Sequence, residues 1–498
     1  MGNVSIKIRK DVVAQADNSS LCLCVFQRCS RAYMPLVYGF FSIDETQPEA
    51  TIRFLSIIVI LQYYEVEGAY DIVSAGIRCR RPHRAAYLRV MSLRKQFLAH
   101  VAQTSAFPLS LEIECGEGVY LYDTQGKAYL DLIAGIGVSS LGHSHPAVVA
   151  AVKAQADKYL HTMVYGEYVL APQVELAQLM VEHLPESLNA VYFTNSGTEA
   201  TEGAMKLAKR VTDRAEMVAA TRAYHGSTQG AASLMWPKDF TQAFHPLLPG
   251  IRHVDFNCVW CLQRITTRTA AVIVETVQAE WGLRKPWGDY LKKLRTRCTE
   301  VGALLIFDEI QAGYGRTGSL WAFEQYEVVP DILLVAKGMG GGMPIGAFVA
   351  DRELLWQFTN NPVLGHITTF GGHPVSCAAA LATLRTLLRE RLIETVAEKE
   401  QLFLKLLRHP LIIDVRHAGL WMAVELPDFD HVQAVIKHCL ANGLITDWFL
   451  FNDRCLRIAP PLTITPDEIR RACTILLRAM DAVSATPPQT AFDSVSGR

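Results

Sequence analysis

The chain has 498 residues, of which 50% are apolar and 19% are charged. This composition is that of an ordinary globular protein with room for more than one domain. Its 48 Lys and Arg residues are balanced by 49 Asp and Glu residues. We therefore expect no nucleic-acid or membrane partner, because the net charge creates no field that would attract either, and a small-molecule substrate is favoured.

The cysteines and the first residues of the chain indicate the cellular compartment of the protein. Twelve cysteines are scattered along the chain without the dense spacing of a small secreted domain, so reduced thiols and a cytoplasmic location are expected. No basic segment followed by a long apolar one marks a secretory signal. The most apolar early stretch, Phe54 to Leu61, is far shorter than the roughly 20 residues needed to cross a bilayer.

Regular patterns begin near residue 91. Residues 1–90 show no sustained helical or strand period, and we interpret them as an extension of doubtful structure, either dispensable or an organelle-targeting segment. An amphipathic stretch at 93–101 then precedes two strands joined by a turn, at 118–123 and 128–132.

From about residue 147 to 480 the pattern alternates between helix and strand, which predicts an α/β architecture with a mostly parallel sheet. Helices are expected at 146–159, 171–183, 198–212 and 287–301. Buried strands, rich in Val, Ile and Leu, are expected at 190–193, 217–220, 270–274, 303–307, 332–335 and 347–350. Ligands of such sheets collect at the carboxyl ends of the strands.

A turn of small residues follows the first of these strands. Ser196, Gly197 and Thr198 stand between that strand and the next predicted helix. A helix N-terminus presents free N–H groups and the positive end of the helix dipole, and the two hydroxyls add donors. We interpret this turn as a phosphate cradle, and an ordinary N-cap without a ligand is the alternative.

Two charged residues stand at the ends of other strands. Asp308 ends a buried strand, where a carboxylate is costly unless it meets a cation such as a protonated pyridine nitrogen or forms a structural ion pair. Lys337 follows strand 332–335 and is suited to a Schiff base with an aldehyde, although a lone loop lysine is usually solvated. With the phosphate turn, these residues supply the three handles that pyridoxal 5′-phosphate requires: phosphate, ring nitrogen and aldehyde carbon.

These motifs resemble those of the class III aminotransferases, a family of pyridoxal-phosphate enzymes of fold type I that includes acetylornithine, ornithine and 4-aminobutyrate aminotransferases. The resemblance covers about residues 105–480. It rests on the segments 195–200 (NSGTEA), 224–226 (YHG), 307–318 (FDEIQAGYGRTG) and 336–338 (AKG).

The resemblance implies a large domain with a mostly parallel seven-stranded sheet flanked by helices, and a smaller α+β domain built from both chain ends. The implied boundaries are 1–90 for the extension, 91–155 for an N-terminal part of the small domain, 156–385 for the large cofactor-binding domain, 386–482 for the C-terminal small domain and 483–498 for a flexible tail.

It also implies an activity: transfer of an amino group from an amino acid or ω-amine to a 2-oxo acid, 2-oxoglutarate or pyruvate, by a ping-pong mechanism through pyridoxamine phosphate. A racemase or epimerase, an aminomutase, or a decarboxylating transaminase would need the same cofactor site, so these alternatives stay open. A catalytically silent member that acts as a binding protein is a further alternative.

The resemblance assigns roles to individual residues. Lys337 and Asp308 would be catalytic, Tyr224 would stack on the cofactor ring, and Gln311 would lie near its phenolic oxygen. Thr369 would reach the phosphate of the neighbouring subunit, which implies a homodimer. The implied cofactor-binding residues are Ser196, Gly197, Thr198, Tyr224, His225, Glu275, Asp308, Gln311, Lys337 and Thr369.

For the substrate, the resemblance points to Arg457 and Glu280. The Arg457 guanidinium would anchor a substrate carboxylate, and Glu280 would pair with it, either as a mask that is released or as a permanent link between domains. Ser227 stands where ornithine-type enzymes carry an arginine, Thr276 where the family usually has Pro, and Trp281 where Gly or Ala is usual. These departures leave the donor open.

Cys258 and Cys261 have the spacing of a zinc or redox pair. No second pair and no histidine at metal-site spacing accompanies them, so the sequence favours a plain loop and predicts no metal site.

Overall fold

The structure is a computed structural model that describes residues 21–24, 37–43, 52–59, 92–106 and 108–485. The chain divides into two compact units, 1–90 and 91–498. In the first unit the described residues form an antiparallel sheet of three strands, β1 (Leu21–Cys24), β2 (Val37–Ile43) and β3 (Ile52–Val59). No regular period was expected there, but the β-branched and aromatic residues of β2 and β3 favour extended backbone. The rest of the extension, and the predicted tail from residue 486 on, lie outside the described residues.

The second unit contains the remaining described strands and the helices. Its strands are β4 (Ile113–Glu117), β5 (Tyr120–Asp123), β6 (Ala128–Asp131), β7 (Ala190–Thr194), β8 (Glu216–Ala220), β9 (Ile251–Val254), β10 (Thr269–Glu275), β11 (Leu304–Asp308), β12 (Ile332–Val335), β13 (Gly346–Ala350), β14 (Asp414–His417), β15 (Met422–Glu425), β16 (Leu444–Ile445), β17 (Asp447–Phe449) and β18 (Asn452–Ile458). Its helices are α1 (Leu93–His100), α2 (Ala134–Gly137), α3 (Pro146–Lys158), α4 (Ala171–Val181), α5 (Gly197–Thr212), α6 (Gln229–Ser233), α7 (Tyr290–Val301), α8 (Arg352–Trp356), α9 (Pro374–Arg389), α10 (Val396–Leu406), α11 (Phe429–Ala441) and α12 (Pro466–Ala485).

The central sheet has seven strands in the order β7-β13-β12-β11-β10-β8-β9. Strand β13 is antiparallel to both of its neighbours, and the other neighbouring pairs are parallel, so six strands point the same way. The predicted fold class is confirmed. Each of the six strands predicted in this region is present, with ends within one residue of the expected ones.

The four predicted helices are present as α3, α4, α5 and α7. Helix α7 begins three residues later than expected, since Gly288 before it has a positive φ of 51°, which α-helical backbone does not have. Helix α1 matches the predicted amphipathic stretch but buries none of its residues. Within the described ranges, no helix is long and apolar enough to cross a membrane.

Two four-stranded sheets form the smaller part of the second unit, in the orders β14-β15-β18-β17 and β16-β6-β5-β4. In the second sheet, β16 from the C-terminal region pairs in parallel with β6 from the N-terminal region. The two ends of this unit therefore share one sheet, which confirms the expectation that the smaller α+β domain is built from both.

Close packing positions the start of α5 above the edge of the central sheet. A side chain at Gly203, on the buried face of α5, would overlap the ring of Phe348 on β13. A side chain at Gly197, the first residue of the helix, would come within 2.6 Å of Ile310, just after β11. Glycine at these two positions lets the helix and its N-terminal turn approach the ends of the strands.

The Cys258–Cys261 pair departs from the expectation of reduced thiols. The two cysteines form a disulfide within the loop between β9 and β10, where their Cα atoms are 5.3 Å apart, a separation that a disulfide can bridge. The other cysteines in residues 92–485 are free. The described residues contain no group of His, Cys, Asp and Glu that is arranged to hold a metal ion.

Candidate active site

A cavity of about 500 Å³ lies at the carboxyl ends of the parallel strands. Residues that follow β7, β8, β11 and β12, distant in sequence, line its wall. Among the predicted site residues, it brings together Ser196, Gly197, Thr198, Tyr224, His225, Glu275, Asp308, Gln311 and Lys337. The other three, Glu280, Thr369 and Arg457, are not part of this wall.

The turn before α5 is held by its own hydrogen bonds. Ser196 is the N-cap, and its hydroxyl accepts the Glu199 N–H at 3.3 Å. The Glu199 carboxylate in turn accepts the Asn195 N–H at 2.7 Å, and the Thr198 and Thr228 hydroxyls are 2.8 Å apart. The first N–H groups of a helix have no acceptor within it, so this turn offers the cavity donors at the positive end of the helix dipole.

Asp308 is almost fully buried, with 5% of its surface exposed. Its Oδ1 accepts the Ile310 N–H at 3.0 Å, and its Oδ2 is 2.7 Å from Nδ1 of His225. Because a carboxylate only accepts, His225 must carry its proton on Nδ1. Each Asp308 oxygen thus has one donor, and the carboxylate retains acceptor capacity toward a cationic ring nitrogen in the cavity.

Glu275 lies beside Asp308, as its register partner on β10. Burial and the neighbouring Asp308 raise the pKa of Glu275 well above its usual range. The backbone N–H groups of Tyr224 and Ala279 donate to its carboxyl group at 3.3 and 3.0 Å. The neutral form of Glu275 is therefore favoured, and Asp308 is the acid that supplies negative charge to this part of the cavity.

Lys337 enters the cavity two residues after the buried strand β12 ends at Val335. Its φ is 46°, a left-handed conformation that costs a non-glycine residue energy and often marks a functional position. Burial lowers the pKa of Lys337 to about 8, although the carboxylates of Glu280 and Asp308 oppose this effect. A lysine with this pKa has a substantial neutral fraction near neutral pH, which is the form that reacts with an aldehyde.

Glu280 and Arg457 form a buried pair next to the cavity. The Arg457 Nη2 and Nη1 atoms lie 2.9 and 3.3 Å from the two Glu280 carboxylate oxygens. Burial disfavours the ionised form of Glu280, but Arg457 and Lys337 outweigh it and hold the pKa of Glu280 at about 2. Gln311, expected near the cofactor's phenolic oxygen, lines the cavity and donates its amide to Glu280 Oε1 at 3.0 Å.

A second carboxylate, which the sequence analysis did not identify, contacts Arg457. Asp447 is the direct partner of Arg457 across the β17–β18 pair, and its Oδ1 lies 3.1 Å from Arg457 Nε. The Trp448 carbonyl accepts from Nη2 at 3.1 Å, and the Phe449 ring lies 4.5 Å from the guanidinium carbon. The turn of this hairpin is Leu450-Phe451, which lacks the residues that mark a turn in sequence.

The three unusual positions have defined contacts. The Ser227 hydroxyl lies 3.0 Å from the hydroxyl of Tyr224, and the Thr276 hydroxyl donates to Glu309 at 2.8 Å. The ring of Trp281 has the guanidinium carbon of Arg222 3.9 Å from its centroid and that of Arg284 at 5.0 Å.

Comparisons with known proteins agree with this geometry. The family model described as Aminotransferase class-III matches residues 101–480. The chain is 41% identical to an acetylornithine aminotransferase from Methanopyrus kandleri, over 77% of this chain and 97% of that protein. It is 40% identical to a putrescine aminotransferase from Pectobacterium atrosepticum, over 74% of this chain and 82% of that protein. The solved ornithine aminotransferase from Toxoplasma gondii superposes with a TM-score of 0.73 at 31% identity, over 79% of this chain and 95% of that one.

The His225–Asp308 contact makes a prediction about stability. Replacing His225 with Leu removes the donor to a buried carboxylate, so we expect the free energy of unfolding to fall by about 1–3 kcal/mol. His225→Asn keeps an N–H donor near the Nδ1 position and should lose less than half of that amount. Chemical denaturation of both variants measures the difference, and equal losses would show that the Nδ1 donor is not what stabilises Asp308.

Proposed function

Because the chain belongs to the class III aminotransferase family and is a pyridoxal-phosphate-dependent aminotransferase, we propose that the cavity holds this cofactor and that Lys337 binds its aldehyde carbon. The observation that carries the proposal is the convergence in one cavity of the α5 N-terminus, Asp308 and Lys337. These groups match the phosphate, ring nitrogen and aldehyde carbon of the cofactor one for one. A purely structural role would not require all three to face one space.

The residues of the cavity fit the cofactor chemically. Ser196, Gly197 and Thr198 would bind the phosphate through backbone N–H groups, because the N-terminus of a helix favours an anion. Tyr224 would pack against the ring. His225 would orient Asp308, whose carboxylate would keep the ring nitrogen protonated. When bound, the cofactor withdraws electrons from the carbon next to the transferred nitrogen.

Lys337 would also move the proton on which the exchange of the amino group depends. A pKa of about 8 lets Nζ accept a proton from the substrate carbon and give it up again at nearby pH values.

Replacing Lys337 with Ala tests its role. The variant should lose the absorbance of the lysine-bound cofactor near the short-wavelength edge of the visible spectrum. It should also transfer no amino group, since no other group in the cavity can replace the lysine amine. Lys153→Ala, at an exposed helical position, is the control and should keep both properties. A Lys337→Ala protein that retained both absorbance and turnover would contradict the assignment.

We propose that the chain acts as a homodimer and that Thr369 completes the phosphate site of the partner. Thr369 is exposed and does not line the cavity of its own chain. Large apolar side chains around it are also exposed, at 71% for Val363, 47% for Ile367 and 52% for Phe370. An apolar patch of this kind is unusual on a monomer and suits a second copy of the chain.

Mixed dimers test whether Thr369 acts across subunits. Thr369→Asp should inactivate the enzyme by placing a negative charge against the phosphate. A dimer of one Lys337→Ala subunit and one Thr369→Asp subunit, co-expressed with two affinity tags, would contain one site with an intact lysine and an intact threonine. We expect about half of the wild-type activity from that dimer although both parent homodimers are inactive. An inactive mixed dimer, or an active Thr369→Asp homodimer, would contradict the arrangement.

For the substrates, we propose a primary amine donor and a 2-oxo acid acceptor. The relatives named for acetylornithine, putrescine and ornithine share donors with an amine on an aliphatic chain, and we extend this class to the present chain. The acceptor carboxylate would take the Nη edge of Arg457 in place of Glu280. Glu280 has two other donors, the Gln311 amide and the Leu450 N–H, each at 3.0 Å, which supports a pair that can separate.

A further inference from the structure

The charges around Arg457 do not balance. Its side chain is 4% exposed, with Glu280 on its Nη edge and Asp447 beside its Nε. Within this set of direct contacts, one positive charge against two negative charges leaves an excess of one negative charge when all three groups are ionised, and Lys337 acts on Glu280 from outside the set. A buried cluster with an uncompensated charge resists the arrival of a further charge of the same sign.

Asp447 is the less compensated of the two carboxylates. Glu280 receives aligned hydrogen bonds from Arg457, Gln311 and Leu450. Asp447 Oδ1, in contrast, is buried and has no aligned hydrogen-bond donor among the described residues, because the nearby Arg457 N–H does not point at it. No aligned hydrogen bond therefore offsets the negative charge of this oxygen, and the charge acts on the neighbouring groups.

Three ionisable groups face Asp447, and only Asp131 adds a negative charge that has not yet been counted. They are Arg457 from β18, Glu280 from the segment after β10, and Asp131 from β6. Asp131 is buried as well; it accepts the backbone N–H groups of Ile133 and Ala134, and its Oδ2 lies 2.9 Å from Nε2 of His143. Ser227, which lines the cavity, brings no positive charge to it.

We propose that Asp447 is a specificity-determining residue that weakens the affinity of Arg457 for carboxylates. The site then favours an amino donor whose far end is a cation or is uncharged over a donor that ends in a carboxylate. An aliphatic diamine is an example of a donor with a cationic end. This inference rests on the proposed function, in which Arg457 is the carboxylate anchor. Asp447 contacts the anchor and is not assigned to the chemistry at the reacting carbon.

Three donors of six carbons each separate the effect of charge from that of size: 1,6-diaminohexane, 1-aminohexane and 6-aminohexanoate. They end in a cation, a methyl group and a carboxylate. Asp447→Asn removes one charge with almost no change of shape. It should raise kcat/KM for 6-aminohexanoate relative to 1,6-diaminohexane by about tenfold to a hundredfold, since a unit charge a few ångströms away acts through a partly buried medium. Asp453→Asn, an exposed position on the same strand, is the matched control and should leave the ratio unchanged.

The pH dependence of the wild-type enzyme gives a second measurement that needs no variant. Burial raises the pKa of Asp447 to about 6, so its charge is present above that pH and is lost as the pH falls through it. In the wild type, the preference for the diamine over 6-aminohexanoate should therefore decline as the pH falls through this range. The Asp447→Asn variant should show no such decline. A wild-type ratio that stays constant through this pH range would overturn the proposal even if the variant failed to fold.

Binding of hexanoate, an unreactive acid, separates this inference from the proposed function. Calorimetry should show hexanoate binding to Asp447→Asn about tenfold or more tightly than to the wild type, whether or not the three amines are donors. If the enzyme uses the amines as donors but Asp447→Asn changes neither the kcat/KM ratio of the two charged donors nor the affinity for hexanoate, only the role of Asp447 is overturned. Failure of the wild type with all three amines, together with the expected gain in hexanoate affinity, would instead count against the proposed donor class.

Discussion

A carboxylate buried at the end of a strand is the constraint on which the arrangement of this active site depends. Asp308 cannot remain charged in the interior without donors, and its neighbours meet that requirement from different parts of the chain. His225 and the Ile310 N–H donate to it, and Glu275 beside it is driven toward its neutral form. Because six strands run in one direction, the α5 N-terminus and Lys337 arrive at the same edge of the sheet.

The substrate side is built differently, because its charged groups come from two sheets. Glu280 follows β10 of the central sheet, whereas Arg457 lies on β18 of a smaller one. Arg316 holds these parts together, since its buried Nη1 donates to the carbonyls of Leu420 and Pro460, which flank β15 and β18, at 2.8 and 2.6 Å. Burial lowers the pKa of Arg316 to about 10. Through the Pro460 carbonyl, Arg316 ties the end of β18, the strand that carries Arg457, to the segment after β11.

The sequence predicted most of the fold and the cofactor side of the site, because both depend on local patterns. Strand ends are marked by runs of buried residues, and Lys337 and Asp308 each follow such a run. Asp447 was not foreseen, because its importance depends on pairing with Arg457 across a hairpin. The Cys258–Cys261 disulfide was also missed, since the spacing of two cysteines does not fix their oxidation state. Strand β9, with Arg252 and His253 among its four residues, lacks the apolar run that marks its neighbours.

Chemical trapping of the cofactor tests the central claim most directly. Borohydride reduction of the holoenzyme makes the bond between the cofactor and its lysine permanent, and peptide mass mapping then identifies the residue that carries it. The account predicts a single phosphopyridoxyl group on the peptide that contains Lys337. Modification of a different lysine, or a cofactor that is bound but leaves Lys337 unmodified, would contradict it.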